Sequence, residues 1–139
     1  YKKYITCFKL IIFLLPAPCY SEQNFQYFLC SGVTNYHFKF DKLNNKIQEF
    51  YVGFDMSQAK LKIVSRDHNV ISTSKNLIKW QVERNDQNML HTINTDNLIF
   101  SVNNKESTEK YCYFLENEDE FSKSLLKEKK FEIDKLKIY

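Results

Sequence analysis

Glycine is almost absent from this chain: Gly32 and Gly53 are the only two among 139 residues. Phosphate-cradling loops and dinucleotide fingerprints need several glycines close together, so both are excluded. A calcium loop needs alternating acids around a glycine, and no such string occurs. Proline is as scarce, with Pro16 and Pro18 both near the start. No apolar run approaches the roughly 20 residues of a membrane-spanning helix. There is no Cys-x-x-Cys pair, no Gly-x-Ser-x-Gly elbow and no Asn-x-Ser/Thr acceptor site. The first two absences leave no local signature of a metal knuckle or of an activated serine.

What is present begins with address information. Lys2, Lys3 and Lys9 precede the apolar run Leu10–Leu15, and Pro16-Ala17-Pro18-Cys19-Tyr20-Ser21 follows. A cationic start, a short hydrophobic centre and small residues near a cleavage point read as an export signal over residues 1–21. A lipid-modified Cys19 would need a small residue before it, and Pro18 stands there instead, so cleavage after Ser21 fits better. The reading places the mature protein in the periplasm or outside the cell, with the membrane involved only through the signal.

The formal charge of +3 comes from 20 basic and 17 acidic residues. The leader holds three of the lysines and no acid, so the remainder is neutral, 17 against 17. A neutral domain gives no electrostatic footing for nucleic acid. Twelve Phe and nine Tyr stand out, but with Asn, Lys and Ile they share AT-rich codons, so genome bias alone accounts for their abundance.

Outside a reducing cytoplasm, cysteines pair. Cys30 and Cys112 are the two left after the leader, near opposite ends of the strand-rich region, and they are expected to form one disulfide across 82 positions. Closing such a loop is worth roughly 4.5 kcal/mol in the chain-entropy account.

From Phe25 to Glu116 the dominant hydrophobic period is two, the mark of half-buried strands. Phe38/Phe40, Phe50/Val52/Phe54, Leu61/Ile63, Ile78/Trp80/Val82 and Leu98/Phe100/Val102 all alternate with polar neighbours. Turn-prone clusters separate them: Asn44-Asn45, Asp55–Gln58, Asp67-His68-Asn69, Asn85-Asp86, Thr95-Asp96-Asn97 and Asn103-Asn104. Asn and Asp carry the turns because glycine is missing. Gly53, inside a strand pattern, predicts a bulge or sharp bend.

The expected fold is mostly β, an up-and-down antiparallel sheet or small barrel of seven to eight strands over residues 22–117, then a C-terminal helix and tail over 118–139. Asn117 followed by Glu120 resembles a capping box, and Phe121 and Leu125 share a helix face. Glu118–Lys130 therefore reads as helix. Beyond it, Phe131/Ile133 and Leu136/Ile138 alternate like short strands and leave the tail open. Closing a barrel would bring Cys30 and Cys112 together.

No catalytic, cofactor-binding or metal-binding residue is assigned. No two of His37, His68 and His91 stand at a spacing that would share a metal on one strand or helix. Arg66-Asp67-His68-Asn69 is the one string in which an acid could orient an imidazole, and solvated turn residues account for it equally. Tyr27, Phe28, Tyr36, Phe38, Phe40 and Trp80 belong to an aromatic set that either fills the interior or lines an apolar pocket.

The stretch Ile93-Asn94-Thr95-Asp96-Asn97-Leu98, followed by strands ending at Cys112, resembles small uncharacterised exported proteins of AT-rich bacteria. That likeness covers most of residues 25–121 and implies a bracketing cysteine pair but no activity. Ser72, Ser74, Asn76 and Trp80 more faintly resemble the inhibitory loop of periplasmic inhibitors of c-type lysozyme. The Gly and Tyr of that loop are missing, so no inhibitory residue is carried over. The resulting expectation is a non-enzymatic, exported, disulfide-clamped domain without a cofactor that binds a partner protein. The alternatives are a small apolar-ligand carrier and an inhibitor of a secreted hydrolase such as lysozyme.

Overall fold

A computed structural model describes residues 24–32 and 35–137. The export signal expected over 1–21 lies outside the described residues. Eight strands follow one another: β1 (Phe25–Ser31), β2 (Tyr36–Asp41), β3 (Lys46–Asp55), β4 (Lys60–Ser74), β5 (Leu77–Arg84), β6 (Gln87–Asn94), β7 (Ile99–Val102) and β8 (Lys105–Leu115). Each pairs antiparallel with its successor, and β8 returns to β1 to close a barrel. One helix, α1 (Glu118–Leu136), completes the chain.

The period-two alternation becomes inside and outside. Phe28, Phe38, Ile47, Trp80, Ile93 and Phe100 point inward and are almost wholly buried. The Phe38 ring meets Trp80 edge-on at 5.2 Å and Phe100 at 5.3 Å between centroids. These aromatics therefore fill the middle of the barrel, the packing expected of about eight strands. Cys30 and Cys112 are register partners on β1 and β8 and form the disulfide. The covalent clamp thus sits on the seam where the first and last strands meet.

Turn chemistry stands in for glycine as expected. The two-residue turns Asn85-Asp86 and Asn103-Asn104 have all four φ angles between 52° and 59°, the positive values of a type I′ hairpin. Asp41, Asp55 and Asn94 each accept backbone N–H bonds from residues two and three further on.

Two expectations need correction. Asp67-His68-Asn69 is no turn but part of the long strand β4, because β3 offers a continuous ladder that ends at Lys46 opposite Asn69. That ladder outweighs the local turn preference of Asp and Asn. Gly53 makes no bulge; it stays in register opposite Lys62. Its missing side chain serves close packing, since a Cβ there would lie 3.0 Å from Val64 Cγ2. Register shifts fall instead between Val70 and Ser72, where β4 meets β5, and between Phe100 and Val102, where β7 meets β8.

The helix begins as expected and ends later. Asn117 Oδ1 accepts from Glu120 N–H at 2.9 Å, and the Glu120 carboxylate accepts from Glu116 N–H. Phe121 and Leu125 are buried in an outer layer against Tyr27, Phe50, Ile63 and Leu115. The tail continues as helix to Leu136, the ladder begun at Glu118 running on past the alternating Phe131/Ile133 pair. Lys135–Glu132 (2.9 Å) and Lys137–Asp134 (3.7 Å) pairs line its last turns.

Candidate functional site at a split in the barrel wall

The eight strands do not contribute equally to closure. Strand β4 is paired with β3 from Asp55↔Lys60 to Lys46↔Asn69. Its pairing with β5 covers only Val70 to Ser74, opposite Trp80 to Leu77. Among the described residues, Lys60–Asn69 therefore has a strand on one side only. Across the gap, Gln81–Arg84 of β5 pairs with β6 alone. The wall is zipped below Val70 and open above it.

The direction of the free backbone groups follows from one bond. Val70 N–H donates to the Asn45 carbonyl at 2.9 Å, on the β3 side. In an antiparallel pair, alternate residues exchange their bonds with the same neighbour. Lys62, Val64, Arg66 and His68 thus spend their backbone groups on β3. Leu61, Ile63, Ser65, Asp67 and Asn69 direct theirs toward the open side.

The same parity sorts the side chains. His68 faces inward with Glu49, and their Nε2 and Oε2 atoms stand 3.4 Å apart. Asp67 faces outward, beside Lys39, Lys46 and Gln48 in a shallow depression. The neighbouring acid in the string Arg66–Asn69 is therefore on the wrong face to orient His68. Arg66 lies over the Tyr51 ring at 5.3 Å. His91 on β6 is register partner to Trp80 on β5, with rings 5.5 Å apart. Glu49, His68, Trp80 and His91 thus place polar groups on four successive strands inside an otherwise apolar barrel.

That cluster is unfinished. Trp80 Nε1 and both ring nitrogens of His91 are buried without a hydrogen-bond partner, and His68 Nε2 has only the Glu49 carboxylate at 3.4 Å. Burial, and to a smaller degree nearby His68, lowers the His91 pKa to about 4, so the ring is neutral at pH 7. Each unmatched buried polar atom costs on the order of 1–3 kcal/mol. His91→Leu is accordingly expected to raise stability by about 1–2 kcal/mol at pH 7, read by urea unfolding. A loss of stability would show that His91 has partners after all. Glu49 escaped the sequence reading, although its spacing of two from inward Ile47 carried the signal.

His37 lies outside the barrel, sealed under α1 with 1% exposure. Its Nε2 is 2.8 Å from Ser124 Oγ, and burial lowers its pKa to about 4. It borders a cleft of about 320 Å³ between helix and barrel, with Asn35, Tyr51, Val52, Leu125 and Glu128. Asn35 Nδ2 donates to Glu128 Oε2 across it at 2.8 Å. These contacts latch the helix down. Among the described residues no three His, Cys, Asp or Glu side chains are grouped to hold a metal ion, and no helix is long and apolar enough to cross a membrane.

The architecture defines a disulfide-bonded, helix-covered β-barrel domain. No protein-family model, curated protein or solved structure matches this chain.

Proposed function

We propose that this chain is an exported, non-enzymatic binding domain that recognises a partner protein at the split between β4 and β5. The observation that carries the reading is the open wall above a set of buried polar atoms with no partner. Such atoms are costly in a free domain, and binding residues commonly occupy positions that stability alone would not choose. The filled interior supports surface recognition over carriage of an apolar ligand, because Phe38, Trp80 and Phe100 occupy the space a ligand would need. The Cys30–Cys112 bond, with the export signal expected over residues 1–21, supports an oxidising compartment outside the cytoplasm.

A photo-crosslinking residue tests the site. Placed at Ser65 on the open side of β4, it is expected to give one discrete protein adduct in the native envelope or secreted fraction. The same probe at Glu109 on β8 is expected to give none. Adducts of equal yield at both positions, or at neither, contradict the reading. Native mass spectrometry is expected to show no co-purified apolar molecule, and a stoichiometric lipid would restore the carrier alternative.

A further inference from the structure

We infer that the split accepts its partner by strand addition: an extended peptide segment pairs with the free edge of β4 between Leu61 and Asn69. The inference rests on the proposed partner-binding function and specifies the chemistry of the occupant.

The first support is the backbone. Leu61, Ile63, Ser65, Asp67 and Asn69 offer alternating N–H and C=O groups over about 30 Å, at roughly 3.3 Å per residue. An unpaired strand edge is a template for another extended chain. Main-chain bonds of this kind supply affinity without demanding a particular sequence, while pockets for alternate side chains supply selection. A helix cannot satisfy such a row, because its own backbone groups are already used.

The second support is independent and lies beneath the edge. Every other side chain of a docked strand would point inward, past Val64, Arg66 and His68 of β4 and Val82 of β5, which share the inward face. The unmatched atoms there are a tryptophan N–H donor and histidine nitrogens. A neutral imidazole carries one donor and one acceptor. The complementary inward residue is therefore polar and uncharged, a carboxamide or a hydroxyl, able both to give and to accept a hydrogen bond. The partner class is thus an extended polypeptide segment with Asn, Gln, Ser or Thr at an inward position.

The experiment selects binders from a displayed library of random linear peptides against the oxidised full chain, then maps one synthetic binder by amide hydrogen exchange. Added peptide is expected to slow exchange at Ile63, Ser65 and Asp67, while Val64 and Arg66, already bonded to β3, change little. Methylating alternate peptide nitrogens should weaken binding by at least about tenfold. Ser65→Pro removes only an outward N–H and should weaken binding similarly while leaving the β3 ladder intact. Ser65→Ala, which keeps the N–H, should bind as the unchanged chain does. Protection elsewhere, with Ser65→Pro binding normally, would overturn strand addition yet leave partner binding standing. Failure to select any binder would count against both. Edge-to-edge dimers of the chain, dissolved by Ser65→Pro, would assign the edge to a second copy and overturn the inference.

Discussion

Replacing Cys30 and Cys112 by serine is expected to cost about 4.5 kcal/mol in the chain-entropy account. A domain of this size has total stability of about 5–15 kcal/mol, so the bond supplies from about a third to nearly all of it. The size of the effect comes from two features. The bond joins positions 82 apart in sequence, so its loss frees almost the whole barrel in the unfolded state. It also fastens β1 to β8, the seam that turns a sheet into a closed wall. Urea unfolding of the oxidised and reduced chain measures the difference directly. A loss under about 1 kcal/mol would mean that the β1–β8 ladder closes the barrel without help.

The second large effect is acid sensitivity between pH 6.5 and 4. His37 and His91 have folded-state pKa values lowered to about 4, in each case chiefly by burial, from an ordinary 6.5. For a base whose folded pKa is depressed, the unfolded chain takes up protons first as pH falls. Stability is therefore complete above pH 6.5 and declines as pH drops toward 4. At pH 5 each histidine accounts for a loss of about 2 kcal/mol, roughly 4 kcal/mol together. The two losses differ in place. Protonating His37 opposes docking of α1, which meets it through Ser124 and Phe121. Protonating His91 opposes the packed interior around Trp80 and Phe100. Chemical unfolding at pH 7.5 and pH 5 should show the drop, and His37→Gln combined with His91→Leu should remove most of it. A pH-independent midpoint in the unchanged chain would contradict the burial of both rings.

Much of this fold was legible because alternation and turn chemistry agreed. The inward sets Phe38/Phe40, Ile78/Trp80/Val82 and Phe100 are spaced two apart, and Asn85-Asp86 and Asn103-Asn104 turned where the pattern broke. The Cys30–Cys112 bond followed from the expected compartment and from closure. What escaped was decided by pairing across the sheet. Asp67-His68-Asn69 has the composition of a turn, yet ten consecutive register pairs along β3 hold β4 extended. The split is invisible locally, because it depends on where β5 stops meeting β4. The helix end escaped because the Phe131/Ile133 alternation is too short to outweigh a helix already begun at Glu118.

The most direct measurement is residue-resolved amide hydrogen exchange along β4 in the free, oxidised protein. An open wall requires a sawtooth: Leu61, Ile63, Ser65, Asp67 and Asn69 exchange quickly, while Lys62, Val64, Arg66 and His68 are protected by β3. Uniform protection from Lys60 through Ser74 would mean that β5 or another element already occupies the edge, and the site would not exist.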